Sequence, residues 1–247
     1  MKKFALMATV AAAVWVIAVT VIMLSVDGDY GGEKDLFAVD MVFVESGTFM
    51  MGCTAEQQGD DCEHIKKKVR SVTVGDFYLG KYEVTQGLWK SVMGKNPSYF
   101  KGGDSLPVEH VSYSDAMAFI QKLNEKTGWK YRLPTESEWE FAARGGNSGK
   151  GYRYSGSNNI GDVAWYDKNS GEKTHPVGTK QPNELGIYDM SGNVWEWTSD
   201  TNNGASSLTL RGGAYGRDAG FCRVSRRVVA GPYYNASVLG FRLARDP

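Results

Sequence analysis

The chain has 247 residues, with 28 basic and 28 acidic side chains, so its formal net charge is zero. Because no basic stripe or excess is present, nucleic acid is not an expected partner. The three histidines, His64, His110 and His175, include no two at the helical spacing of a metal-binding pair. This argues against a histidine-based zinc or iron site.

The first part of the sequence predicts a membrane segment. Residues 4–26 contain no charged side chain, and roughly 20 apolar residues are enough to cross a bilayer as a helix. The apolar core of a cleavable signal is usually shorter, about 7–15 residues, and Leu24-Ser25-Val26-Asp27 is a poor cleavage site. The sequence therefore predicts an uncleaved signal anchor, with a cleaved signal and secretion as the alternative.

The charges beside this segment predict its orientation. Lys2 and Lys3 should remain in the cytoplasm, which makes residues 1–3 a cytoplasmic stub. Residues 27–35 are acidic and glycine-rich and form a linker. The domain, residues 36–247, would then lie outside the cytoplasm, in a periplasm or at the cell surface.

Cysteine usage agrees with export. Cys53 and Cys62 bracket a short polar loop, and such a pair predicts a disulfide in an oxidising compartment. A metal pair is the alternative, but the chain offers only His64 nearby and no second cysteine pair. Cys222 is left over, either as a buried thiol or as a functional one.

Short strands and three helices are predicted in a chain rich in glycine. The extended runs are 41–44, 72–74, 77–79, 208–211 and 240–243. The first helix covers 85–93 and ends at Gly94. The second begins after a Ser114 cap and ends near Gly128, and the third opens on a capping box of Thr135 and Glu138 and ends at Gly145.

One segment, 186–197, combines glycines and short polar residues with two tryptophans and two carboxylates. Asp189, Glu196 and the backbone carbonyls between them are oxygen ligands of the kind that calcium prefers. A buried aromatic turn that holds a carboxylate is the alternative interpretation.

This segment and several others resemble conserved blocks of the formylglycine-generating enzyme family, the sulfatase-modifying factors. The other blocks, in family order from about Met41 to the C-terminus, are Lys81–Gln86, Pro107–Tyr113 followed by Asp115-Ala116, Tyr131–Glu140, Arg211–Gly213 and Gly240–Arg242. The resemblance implies an α+β fold, loop-rich and distantly related to C-type lectins. It says less about the reaction, because one fold hosts many functions.

The resemblance also implies two calcium sites. The first would use the side chains of Asp189 and Glu196 with the backbone of Gly192 and Val194. The second would use Asn159 and Asn169 with the backbone of Ile160 and Gly171.

In this chain, the residues at the positions of the family's copper site differ from the family pattern. Family oxidases hold copper with two cysteines and convert a cysteine of a client sulfatase to formylglycine. Cys222 matches the second cysteine, whereas Arg217 replaces the first and Ala214 replaces a serine. Arginine stays protonated and has no lone pair for a metal, so copper is not expected. Cys222 stays the candidate catalytic residue, either activated by Arg217 or buried as a small apolar side chain.

These features predict a membrane-anchored, extracytoplasmic binding or assembly module, a pseudoenzyme that is stabilised by calcium. Its ligand would be a polypeptide or a glycan, with contacts from Tyr215, Phe221, Tyr233, Tyr234 and Asn235. A genuine formylglycine-generating oxidase is the first alternative. A structural component of a cell-envelope secretion or motility apparatus is the second.

Overall fold

A computed structural model provides the structure and describes residues 37–57, 69–202 and 207–247. The predicted anchor at 4–26, its linker and Cys62 lie outside the described residues. The anchor, its cleavage and the Cys53–Cys62 disulfide therefore stay predictions. No helix in the described ranges has the length and apolar character to cross a membrane.

The described strands form three small sheets. In the first, β1 (Met41–Val44), β4 (Phe77–Gly80) and β9 (Ala244–Arg245) pair antiparallel in the order β1-β4-β9. In the second, β2 (Gly47–Met51) pairs with β3 (Arg70–Val74). The third has the order β7-β6-β5-β8 and contains β5 (Trp195–Asn202), β6 (Ser207–Arg211), β7 (Arg227–Ala230) and β8 (Leu239–Gly240).

Most predicted strands are present, but the one over 240–243 is wrong. Leu239–Gly240 pairs in parallel with β5 of the third sheet, while Ala244–Arg245 pairs with β4 of the first. The residues between cross from one sheet to the other, and Arg242 turns its guanidinium into the protein interior. An extended sequence pattern does not reveal such a crossing, because both ends are apolar and strand-like.

The three predicted helices are confirmed as α1 (Gln86–Met93), α2 (Tyr113–Thr127) and α3 (Glu136–Ala143). The predicted Ser114 cap is wrong, because Ser112 caps α2. Its Oγ accepts a hydrogen bond from Asp115 N at 3.1 Å, and the Asp115 carboxylate accepts one from Ser112 N at 2.9 Å. The capping box of α3 is present as predicted. A short helix, α4 (Ile160–Val163), was not predicted.

Aromatic side chains fill the core between α1, α2 and the third sheet. The α2 face of Ala116, Phe119, Ile120 and Leu123 is buried, and the Trp89 and Phe119 rings stack with centroids 5.1 Å apart. Full burial of one such side chain contributes about 1.5–3 kcal/mol. Together with long loops such as 145–182, this arrangement confirms a loop-rich α+β fold.

Candidate functional site

The loop that leads into β5 has a backbone that few side chains tolerate. Gly192 has a φ of +84°, and a Cβ built there would lie 2.3 Å from the carbonyl oxygen of Trp165. The neighbouring amide of Asn193 donates to that same oxygen at 2.8 Å. Asp189 also has a positive φ, +57°. This close approach fixes the loop against the 160s segment and directs Asp189 into the interior.

Glu196 lies in β5, is fully buried and forms an ion pair with Arg242. The Arg242 Nε and Nη2 atoms donate to its two carboxylate oxygens at 2.6 Å each, and Trp139 Nε1 donates to Oε2 at 2.7 Å. Both oxygens of this predicted calcium ligand are therefore engaged by protein groups. Its role as a ligand stays a prediction.

Asp189 has one carboxylate oxygen without a hydrogen-bond partner. Oδ2 accepts a hydrogen bond from Gly178 N at 2.7 Å, whereas the buried Oδ1 has no partner. Burial raises the pKa of Asp189 from its ordinary value of 3.8 to about 6, and hydrogen bonding by Gly178 opposes that rise. An unpaired, buried carboxylate oxygen is costly unless a proton or a cation compensates it.

Glu83, which the sequence analysis missed as a site residue, also has a buried carboxylate without hydrogen-bond partners. It follows β4, is 2% exposed, and neither of its carboxylate oxygens has a hydrogen-bond partner. Burial raises its pKa well above the usual range, and the nearby charge of Asp189 adds to that rise. A glutamate that interrupts buried apolar residues just after a strand was the available signal.

Glu83, Asp189 and Glu196 thus bring three buried carboxyl groups near one arginine, Arg242. If all three ionise, the single charge of Arg242 leaves two negative charges uncompensated. The unpaired atoms are oxygens, the ligand type that calcium selects. The donor set therefore fits a calcium ion at Glu83 and Asp189 better than at Glu196.

The second predicted ligand set lies on and after α4. Asn159 caps α4: its side chain accepts from Gly161 N at 3.3 Å and donates to Asp162 Oδ1 at 2.8 Å. The Ile160 carbonyl accepts from Ala164 N at 3.0 Å. Asn169 closes the next turn, accepting from Tyr166 N and donating to the Ala164 carbonyl, each at 2.9 Å. Gly171 follows with a φ of +61°. Local hydrogen bonds use the amide groups of both asparagines.

In the described residues, no three His, Cys, Asp or Glu side chains are arranged to hold a metal. Both predicted sets rely on backbone carbonyl or amide oxygens in addition to carboxylates.

Cys222 is fully buried at the end of a short 3-10 helix and packs beside Tyr154 and Val163. Burial raises its pKa to about 12, although the backbone N–H of Ala214 donates to the sulfur and opposes the rise. Arg217 is exposed and lies with its guanidinium carbon 5.7 Å from the Phe221 ring. The raised pKa opposes activation of the thiol by Arg217, and the side chain is packed as an apolar residue. The catalytic role of Cys222 stays a prediction.

The predicted ligand contacts differ in their exposure. Tyr233 and Tyr234 are 80% and 55% exposed, and Asn235 is exposed beside them. Tyr215 is buried, and its hydroxyl lies 3.2 Å from Oγ of Ser237, which is on the loop that carries Tyr233 and Tyr234. Phe221 is half-buried and packs edge-on against Trp195.

Two aromatic residues that the sequence analysis did not single out extend this surface. Phe100 packs edge-on against Tyr215 at 5.3 Å, and Tyr99, 70% exposed, packs edge-on against Phe100 at 5.0 Å. Glu109, buried beneath them, accepts a hydrogen bond from Phe100 N at 2.8 Å. These contacts therefore hold in place the segment that exposes Tyr99.

Comparison with known proteins places this geometry in a family. The family model for the sulfatase-modifying factor enzyme 1-like domain matches residues 30–247 of this chain. The chaperone protein LppX of Paenibacillus barcinonensis is 39% identical over 214 residues, which cover 65% of this chain and 72% of that protein. The formylglycine-generating enzyme of Mus musculus is 29% identical over 299 residues, with coverage of 87% and 77%.

Two further relatives extend the comparison. The inactive C-alpha-formylglycine-generating enzyme 2 of Mus musculus is 35% identical over 179 residues and covers 65% of this chain and 56% of that protein. Among solved structures, variable protein 1 of Treponema denticola superposes with a TM-score of 0.73 at 31% identity, covering 84% of this chain and 95% of that one. The chain therefore belongs to the formylglycine-generating enzyme, or sulfatase-modifying factor, family.

Proposed function

We propose that this domain is a binding or assembly module that does not perform the copper oxidase reaction of its family. The observation that carries the proposal is the state of Cys222, which is fully buried with a raised pKa, while an exposed arginine occupies the position of its family partner. A Cu(I) site of the family kind needs two thiolates. The residues present do not fit copper.

The names of two relatives support a role other than the oxidase reaction. One is named a chaperone and another an inactive enzyme, so the fold also serves proteins whose names do not describe the oxidase. For this chain we propose a polypeptide or glycan ligand at the surface of Tyr99, Tyr233 and Tyr234. Exposed aromatic rings with few rotatable bonds provide contact area at low entropic cost.

We also propose that calcium stabilises the domain. The support comes from Glu83 and Asp189, whose buried carboxylate oxygens lack protein partners. Calcium accepts six to eight oxygen ligands in a flexible geometry, so backbone carbonyls, for which the family resemblance offers Gly192 and Val194, would complete the shell. The ion would supply structural charge compensation, and no chemical step depends on it.

The proposed location is the outer side of a membrane, with residues 4–26 as the anchor. The uncharged run at 4–26 and the basic pair before it support this orientation. A cleaved signal, which would release the domain, stays the alternative.

A turnover assay tests the proposal directly. The full chain in detergent would be incubated with Cu(I), oxygen and a peptide that contains a Cys-x-Pro-x-Arg motif, and mass spectrometry would look for formylglycine. A family oxidase in parallel shows that the conditions support turnover. We expect no product from this chain.

The Cys222→Ser variant distinguishes the alternative, a genuine oxidase, which its kinship with the mouse enzyme favours. Product from the wild-type chain that disappears in Cys222→Ser would overturn the proposal. The paired substitution Arg217→Cys with Ala214→Ser restores the family residues, and we expect only that variant to gain Cu(I) affinity.

A further inference from the structure

One face of the first sheet exposes aromatic and basic side chains that no part of the proposed ligand surface uses. We call it the aromatic–basic face and define it by Phe43, Tyr78, Arg245, Trp129 and Lys130. Phe43 and Trp129 are 48% and 53% exposed, among the largest exposed apolar side chains of the described residues. Lys130 is exposed beside Trp129.

Strand register builds this face. Phe43 of β1 lies opposite Tyr78 of β4, and Tyr78 lies opposite Arg245 of β9. The Phe43 and Tyr78 ring centroids are 5.3 Å apart. The Arg245 guanidinium carbon lies 3.8 Å from the Tyr78 ring centroid and 4.5 Å from that of Trp129. Arg245 therefore lies against two rings, and the side chains of the face form a row of contacts, here called the ladder.

A groove of about 350 Å³ runs along this ladder to the point where the described chain begins. Phe37 lines it together with Tyr78, Trp129 and Arg245, and Lys126 lies with its ammonium 5.0 Å from the Phe37 ring. Arg245 in the lining and Lys126 beside Phe37 thus provide two positive charges at the groove, and Lys130 is exposed next to Trp129 in the chain. Asp246, the acidic neighbour of Arg245, is paired with Arg132 at 2.6 Å.

The position of Phe37 along the chain indicates what covers this face. The linker 27–35 spans at most about 30 Å when fully extended, and it follows the uncharged segment 4–26. With that segment in a bilayer, a linker of this length allows the groove to reach the lipid headgroups. Such a tether raises the effective concentration of a weakly binding surface.

We propose that the aromatic–basic face rests on the phospholipid surface, with Trp129 and Phe43 in the interface and the basic side chains near headgroup phosphates. Tryptophan favours the membrane interface, and basic side chains there gain from anionic headgroups. The inference rests on the proposed membrane anchor. It orients the domain with the β1-β4-β9 sheet toward the membrane.

Quenching of tryptophan fluorescence by brominated lipid tests the membrane anchor and the surface contact separately. The chain has seven tryptophans, of which Trp15 lies in the predicted anchor and Trp129 in the face. The full chain would be placed in nanodiscs of phosphatidylcholine with a minor fraction of phosphatidylglycerol, with or without bromine on the acyl chains. A Trp15→Phe background removes the anchor signal, and Trp129→Phe is then added to it. Trp165→Phe is the matched control, because Trp165 is partly buried outside the face.

We expect brominated lipid to quench the Trp15→Phe chain, and we expect that quenching to be lost with Trp129→Phe and kept with Trp165→Phe. Lys130→Ala should reduce it, as should added salt. If Trp15 is quenched in the wild-type chain but Trp129 is not, the anchor stands and the surface contact is refuted. If neither residue is quenched, the anchor fails and the contact fails with it.

Discussion

Single residues decide which chemistry this family member retains. The sequence identified Asp189 as an oxygen ligand in a segment that resembles a family block, and Cys222 because it matches one of the two copper-binding cysteines of the family. It did not identify Glu83, since a glutamate beside apolar residues is normally read as a solvent-facing position. Only the fold reveals that Glu83 and Asp189 lie near each other, because 106 positions separate them along the chain.

The first prediction concerns the thiol of Cys222. A fully buried thiol with a pKa near 12 holds almost no thiolate at neutral pH, and the thiolate is the reactive form. We expect no reaction with dithionitrobenzoate in the native protein and one thiol per chain after unfolding in denaturant. Three thiols after unfolding would contradict the Cys53–Cys62 disulfide. Rapid native reaction would contradict the buried state of Cys222.

Elements of secondary structure were predicted best where capping chemistry marks their ends. The Thr135 and Glu138 box located α3 because both partners are three residues apart in the sequence. The α2 start was misplaced by two residues, since two serines precede the apolar face and only the hydrogen bonds of Ser112 distinguish them. The strands β2, β5 and β7 were missed. The alternation in β2 and β7 is short and half exposed, and β5 begins inside the segment that the sequence predicted to be a turn with oxygen ligands.

The cap of α2 provides the second prediction. Ser112→Ala removes a side chain that accepts a hydrogen bond from Asp115 N, and loss of such a cap costs about 1 kcal/mol. Ser114→Ala, at an exposed position inside the helix, should change the free energy of unfolding by less than about 0.5 kcal/mol. Urea denaturation of both variants measures the difference. Equal effects would mean that the cap is not at Ser112.

The third prediction concerns the ion pairs that join α3 to the sheets. Glu140 accepts hydrogen bonds from Arg211 and Arg144 and from Gly52 N, and both Glu140 and Arg211 are buried. Glu140→Ala leaves a buried arginine without this carboxylate, which typically costs about 3–5 kcal/mol. Asp104→Ala, which breaks an exposed pair with Lys90, should cost at most about 1 kcal/mol. Similar losses in chemical denaturation would refute the structural role of the Glu140 pairs.

At the scale of the whole molecule, sequence predicted the fold class and family but not the joining of the sheets. The last residues leave β8 of one sheet and enter β9 of another, which brings Arg242 between Glu196 and the carbonyl of Gly80. Local pattern carries no information about that crossing. It is this long-range contact, however, that gathers the buried carboxylates whose ionisation the fold must accommodate.

The fourth prediction is that these carboxylates make the stability of the whole domain depend on pH and on the proposed calcium ion. In the folded protein the pKa of Asp189 is raised from 3.8 to about 6, so folding favours its protonated form. The free energy of unfolding should therefore fall as pH rises from about 4 to 6, by about 3 kcal/mol for Asp189 alone. Glu109, whose burial raises its pKa to about 6, adds a loss of the same sign. The proposed calcium ion would bind the ionised form, so it should reverse the part of the loss that arises at Glu83 and Asp189.

Thermal unfolding at pH 5 and pH 7, with a chelator or with calcium, measures this coupling. We expect the chelated protein to have the lower Tm at pH 7 and calcium to restore it, with about 2–4 °C for each kcal/mol. Glu83→Gln keeps the shape of the side chain but removes its charge, so it should raise the Tm in chelator and abolish most of the calcium response. Glu109→Gln, the matched buried control, should soften the pH dependence and leave the calcium response intact. A calcium response that survives Glu83→Gln unchanged would place the ion elsewhere, because the charge that calcium compensates would not be the one at Glu83.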